Sequence, residues 1–170
     1  MVGLAKARGV NLLNLVRREG AAEELRETGA ENVLSTDDAD WQSKARALIG
    51  KAGAVSAIDS VGGELGGQLV ELLGKDGELI VFGTATGQPL TMSSGELIMK
   101  HITVKGFWGS RVSGEMAPET RVRLIGELVQ LAAKGQLPLD TGGIYPLAEV
   151  TEAMKAALTT GRGGKVMLRP

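Results

Sequence analysis

The stretch Asn11–Thr36, NLLNLVRREGAAEELRETGAENVLST, decides how the rest of the chain is read. It opens with a short apolar run, Leu12 to Val16, that stops on two adjacent guanidinium groups, Arg17 and Arg18. With Val10 included, the run predicts a strand over 10–16 with one polar interruption at Asn14. AAEELRETG then places Ala21, Ala22 and Leu25 on one helical face, with Gly29 as the C-terminal stop. NVLST predicts a second short strand. Strand, short helix, strand is the repeating unit of a parallel α/β sheet.

The alternation continues outward from this unit. Asp40 is placed as the N-cap of a helix from Trp41 to Ile49. AVSAI (Ala54 to Ile58) predicts a strand, ELGGQLVELL a helix, ELIVFG (Glu78 to Gly83) a strand and HITVKGFW (His101 to Trp108) another. A long amphipathic helix is expected over 118–134, burying Leu124, Ile125, Leu128, Leu131 and Ala132. The tail IYPLAEVTEAMKAALTTGRGGKVMLRP reads as a turn, a helix and a final strand. The expected fold is a Rossmann-type α/β domain, a parallel sheet with helices on both faces.

Composition limits the functional classes. The chain has 170 residues, 43% of them hydrophobic and 23% charged, with a net charge of −1. One domain with its own core fits that length. The near-zero charge offers no field for nucleic acid. No cysteine is present and His101 is the single histidine, so a thiolate nucleophile, a disulfide or a conventional metal site is not expected. No apolar run approaches the roughly 18 residues of a membrane span, and MVGLAKARGV lacks the apolar core of a signal peptide. A cytoplasmic protein is expected.

Parallel sheets bind ligands at the carboxyl ends of their strands. Four such ends stand out: Arg17-Arg18, Asp59-Ser60-Val61-Gly62-Gly63, Phe82-Gly83-Thr84-Ala85 and Gly106-Phe107-Trp108. In a dinucleotide-binding sheet the end of the second strand meets the adenosine ribose. A carboxylate there suits NAD, and an arginine suits the 2′-phosphate of NADP because its planar fork of donors stays charged. Solvated arginines that merely end a strand are the competing reading. Asp59 and the glycines after it read as a tight strand-to-helix turn rather than a catalytic site. Gly62-Gly63 and Gly66-Gly67 follow the wrong strand to cradle a phosphate.

Taken together, NLLNLVRREG, LRETGAENVLST, AIDSVGG, GELIVFGTATGQPLTM, ITVKGFWGSR and GKVMLRP resemble the cofactor-binding half of the medium-chain dehydrogenase/reductase superfamily, from about Leu4 to Pro170. The likeness is greatest to its zinc-free, NADPH-dependent 2-enoyl thioester reductases and to quinone oxidoreductases. It implies that Arg17 and Arg18 contact the adenosine phosphate, although Glu19 stands where a third basic residue is usual. It implies that Phe82, Gly83, Thr84 and Ala85 lie along the nicotinamide ribose, that Phe107 and Trp108 offer main-chain contacts to the carboxamide, and that Lys165 approaches the cofactor phosphates. Phe107 and Trp108 also suit a core or dimer interface, and Lys165 the protection of an edge strand. The resemblance implies NADPH as cofactor, a small-molecule acceptor and a homodimer through the strand at 101–108. It gives no catalytic residue here: Tyr145 does not inherit the family's tyrosine proton donor, and His101 is expected to be structural.

The same resemblance implies that the first strand and its glycine-rich turn lie outside this sequence. Val2-Gly3 then falls inside the first helix, or else is the last remnant of that turn. Residues 1–142 are expected to form the truncated dinucleotide-binding domain and 143–170 a segment returning toward an N-terminal substrate domain. Without a central strand the chain must close the gap, pair with another chain or fold marginally. Two functions remain open: an NADPH-dependent reductase of enones or 2-enoyl thioesters, and a noncatalytic dinucleotide- or partner-binding module.

Overall fold

The computed structural model describes residues 1–137, 139–159 and 163–170. The chain divides into two compact units, one made of Leu13–Arg121 and the other of Met1–Leu12 with Val122–Pro170.

In the larger unit, β1 (Leu13–Val16), α2 (Glu19–Glu27), β2 (Asn32–Ser35), α3 (Trp41–Ile49), β3 (Ala54–Asp59), α4 (Glu64–Leu72), β4 (Leu73–Val81), α5 (Ser94–Lys100), β5 (Thr103–Gly106) and α6 (Gly109–Glu115) follow one another. Every ladder is parallel. The fold class expected from the sequence is the one observed. The sheet, however, is split into β1-β2 and β3-β4-β5, with no ladder between β1 and β3. The expected closure of a gap by pairing of β1 with β3 is therefore not observed.

Two apolar clusters hold these pieces. Leu69, Val70, Leu73 and Leu79 pack with Leu15, Ala54, Ala57 and Val81 among others. Trp41, Ala45 and Leu72 pack with Leu13, Leu15 and Leu34. Leu15 belongs to both, so the α3–α4 layer joins two sheets that share no hydrogen bond. Burial of apolar side chains, which needs no ladder, supplies that cohesion.

Several expectations are corrected locally. β1 begins at Leu13 rather than Val10, because Gly9 turns with φ +63° and the Val10 amide donates to the Ala5 carbonyl to close α1 (Val2–Ala7). Val2 and Gly3 are helical. Asp40 occupies the N-cap of α3 without a side-chain bond to the helix, while Asp38 accepts from the Asp40 amide and from Lys44. β4 ends at Val81, which leaves Phe82 and Gly83 free to shape a loop, and β5 starts at Thr103. His101 is no strand residue; it closes α5 in the left-handed region, φ +56°.

In the second unit, α7 (Pro118–Ala133) enters from Val122 onward and is followed by β6 (Thr141–Pro146), a 3₁₀ turn at Leu147–Glu149, α8 (Val150–Leu158) and β7 (Lys165–Arg169). β6 and β7 pair in parallel, so the turn expected at the start of IYPLAEV is instead the end of a strand. None of the expected core residues of α7 is buried: Leu124, Leu131 and Ala132 are half-buried, Ile125 and Leu128 exposed. The amphipathic pattern is real, but no element covers that face fully.

Candidate dinucleotide site

Register lines up the carboxyl ends of three strands. Asp59 pairs with Val81 and Val81 with Gly106, so Ser60, Phe82 and Phe107 form the next row. The row continues as hydrogen bonds, with the Phe82 amide donating to the Asp59 carbonyl at 2.9 Å and the Phe107 amide to the Val81 carbonyl at 2.8 Å. Beyond it, Phe82, Thr84, Ala85, Phe107 and Trp108 are all exposed, an arc of aromatic and small side chains on a hydrogen-bonded base. Gly83 is constrained: a Cβ there would come within 2.6 Å of the Ser60 carbonyl oxygen.

The turn after β3 supports this arc. Asp59 is 1% exposed, and its carboxylate accepts from the Val61 amide at 2.8 Å and the Gly62 amide at 3.2 Å. Those bonds compensate its desolvation and fix the turn. Gly62 and Gly63 both have positive φ, +77° and +67°, which only glycine adopts without strain. Thr86 donates its hydroxyl to the Val61 carbonyl and accepts from the Gln88 amide, lacing the loop after β4 to that turn. Gly66 and Gly67 serve packing rather than phosphate: Leu90 and the Thr91 carbonyl lie against them where side chains would be.

At the end of β1 the main chain is tied down and the side chains are not. The Arg17 carbonyl accepts from the Ser35 hydroxyl at 2.7 Å and from the Asp37 amide at 3.0 Å. Arg8, Arg26, Arg46, Arg111 and Arg121 each donate to a protein acceptor, whereas among the described residues Arg17, Arg18, Arg123 and Arg169 do not. Glu19 does not compensate them either, since its carboxylate accepts from Arg26 at 2.8 Å. Both guanidiniums are exposed at the carboxyl end of β1. Lys165 belongs to the second unit, where it opens β7 and donates its amide to the Asp140 carbonyl.

Residues that pattern reading missed are supporting ones. Ser60 acts through its backbone and Thr86 through one hydroxyl. Only the short TATGQP loop hinted at the second, since a hydroxyl two residues before an amide favours a turn. A cleft of about 690 Å³ opens elsewhere, where β3 and β4 begin, and includes Arg46, Lys51, Lys75 and Lys100 in its wall. It lies at the wrong strand ends for a dinucleotide.

Residues 1–125 match the family described as Zinc-binding dehydrogenase. The chain belongs to that family. It is 23% identical over 172 residues to the mitochondrial enoyl-[acyl-carrier-protein] reductase of Dictyostelium discoideum, covering 99% of this chain and 49% of the relative. Among solved structures, a mycobacterial quinone oxidoreductase superposes with a TM-score of 0.87 at 23% identity, covering 99% of this chain and 52% of that one. The Escherichia coli quinone oxidoreductase complexed with NADPH superposes with a TM-score of 0.81 at 22% identity, covering 99% and 52%. The chain thus spans about half the length of the relatives it matches, the cofactor-binding half anticipated from its motifs. The donor set does not fit the zinc in the family's description: cysteine is absent, and the lone His101 sits 3.7 Å from Asp76. Among the described residues no group of three or more His, Cys, Asp or Glu could hold a metal ion.

Proposed function

We propose that this chain is the NADPH-binding part of an oxidoreductase that reduces an enone or a 2-enoyl thioester. The observation that carries this reading is the pair Arg17-Arg18, two guanidiniums without a protein acceptor where the adenosine end of a dinucleotide would lie. NADPH, when bound, supplies the hydride. The chain's own residues position it: Arg17 and Arg18 neutralise the 2′-phosphate, the main chain of Gly83 to Ala85 admits the nicotinamide ribose, and Phe107 and Trp108 flank the carboxamide. None of these groups is a general acid or base; Asp59, the ionisable residue in the row of strand ends, is fully occupied by the turn.

A homodimer through the exposed edge strand β5 is part of this proposal. All four residues of β5 are exposed, and among the described residues the edge away from β4 has no strand partner. The competing reading, a dinucleotide- or partner-binding module without turnover, draws support from the same lack of acid–base groups.

Calorimetric titration of the chain and of Arg17→Ala with NADPH and NADH decides between these and a purely structural arginine. The substitution is expected to weaken NADPH roughly ten- to a hundredfold, as for loss of a charge-assisted phosphate contact, and to leave NADH nearly unchanged. Equal losses for both cofactors would overturn the phosphate assignment. NADPH oxidation on adding a crotonyl thioester would remove the noncatalytic reading.

A further inference from the structure

We infer that the cleft where β3 and β4 begin is a binding site for a compact polyphosphate anion, a small molecule bearing a di- or triphosphate group. It lies at the opposite strand ends from the candidate dinucleotide site and does not depend on it.

The chain there is built from two turns pressed together. After α3, residues 50–53 turn into β3 with Gly50 at φ +79° and Gly53 at φ +76°, which glycine adopts without strain. Facing them, residues 74–77 loop out of the ladder: Leu73 pairs with Ala54, yet Glu78 already pairs with Ser56. Asp76 in that loop holds a left-handed φ of +58°. The turns meet main chain to main chain. A Cβ on Gly53 would overlap the Gly74 amide nitrogen, and one on Gly74 the Ala52 carbonyl oxygen. Lys51 sits on one turn and Lys75 on the other, so the contact holds both lysines at one cleft.

The charge around that cleft is one-sided. Arg46, Lys51, Lys75 and Lys100 line its volume of about 690 Å³, and Glu71 is the one carboxylate among the lining residues. Glu71 is already engaged: Arg46 donates to its carboxylate at 3.1 Å, and its main-chain carbonyl accepts from Arg46 at 3.1 Å and Lys100 at 3.0 Å. Closing the last turn of α4 in this way accounts for Arg46 and Lys100. It does not account for Lys51 and Lys75, whose ammonium groups have no acceptor among the described residues. Of the nearby acids, Asp76 lies 3.7 Å from His101 and Glu96 pairs with Lys100 at 2.5 Å. Cations of one sign around a concave wall concentrate their field on an incoming anion. Phosphate oxygens accept strong, charge-assisted bonds from such groups. The volume is that of a small-molecule site, typically about 300–1,000 Å³. A chain of two or three phosphates reaches more of these cations than a single phosphate does.

Tripolyphosphate is the probe, titrated calorimetrically into the full chain at fixed ionic strength, with inorganic phosphate in parallel. It is expected to bind saturably and at least tenfold more tightly than phosphate. Lys51→Met combined with Lys75→Met keeps the apolar stems of two exposed residues and should weaken binding at least tenfold. Lys6→Met combined with Lys134→Met removes the same charge from exposed sites in the other unit and should change it less than twofold. Equal losses in the two double variants would reduce the effect to net charge and overturn the inference. So would the absence of saturable binding. Binding that survives the Lys51/Lys75 change but is lost in Arg17→Ala would place the anion at the carboxyl ends instead. An oligoglutamate peptide that binds as tightly, with the same dependence on Lys51 and Lys75, would give the cleft to an acidic polypeptide and likewise overturn it.

Discussion

The carboxylate of Asp59 sits at the end of β3 with its oxygens on the Val61 and Gly62 amides, and it tests whether this row of strand ends is chemistry or scaffolding. Asp59→Asn keeps the shape but removes the charge and leaves one oxygen to accept where two do now. Hydrogen bonds to a charged group contribute about 1.5–3 kcal/mol each, so stability should fall by a few kcal/mol at most. A lower urea midpoint with unchanged m-value would show it. If Asp59 were instead catalytic, the proposed reductase activity would collapse with stability intact. Single residues were legible in the sequence where they broke a pattern. Arg17 and Arg18 end an apolar run, and the glycines after Asp59 announce a turn. Ser60 was not legible, because a main-chain carbonyl leaves no trace in residue type, and Thr86 only through the turn chemistry of the TATGQP loop.

Helical glycines separate packing from propensity at the scale of the element. Gly67 in α4 faces the Thr91 carbonyl where a methyl would overlap backbone, whereas Gly126 in α7 has nothing within 4 Å. Alanine favours a helix over glycine by roughly 1 kcal/mol. Gly126→Ala should therefore stabilise by about 0.5–1 kcal/mol. Gly67→Ala should destabilise by about 1–3 kcal/mol as overpacking outweighs the same propensity gain. Thermal unfolding of the two variants gives opposite signs if the 90–92 segment packs on α4 as described. In the second unit, Arg8 at the end of α1 donates to both oxygens of Glu127 in α7, which holds that carboxyl below its ordinary range. A depressed carboxyl contributes stability above its unfolded value of about 4.3, and that contribution is lost as pH falls through the folded one. The stability difference between the native chain and Arg8→Gln, measured by urea unfolding, should be present at pH 7 and shrink as pH falls below the unfolded carboxyl value of about 4.3. Elements with continuous apolar runs, such as β3, were legible. β6 was not, since Gly142, Gly143 and Pro146 carry turn chemistry, and its strand character comes only from pairing with β7. Nor was the exposure of α7, because a periodic face records what a helix can bury and not what is present to cover it.

At the scale of the molecule, the parallel α/β class followed from alternation alone, whereas the division of the sheet into separate ladders did not. The structure keeps β1-β2 and β3-β4-β5 as separate ladders joined through Leu15 and the α3–α4 layer, since side chains can span a gap that backbone donors cannot. That arrangement makes the proposed cofactor a structural bridge. Arg17 and Arg18 belong to the end of one sheet, and Gly83 and Phe107 to the end of the other, so a bound dinucleotide would link two pieces that no ladder links. A ligand that binds only the folded state stabilises by about 2.7 kcal/mol at a hundred times its Kd. For a chain of this size each kcal/mol raises Tm by about 2–4 °C, which gives an expected shift of roughly 5–10 °C with NADPH. NADH at the same concentration should shift Tm less, and Arg17→Ala should bring the two shifts together. Hydrogen exchange adds the sharper readout. If the cofactor bridges the sheets, NADPH slows exchange in β1 and β3 together. Slowing confined to β3–β5 would place the dinucleotide on one sheet alone and leave the arginine pair outside the site.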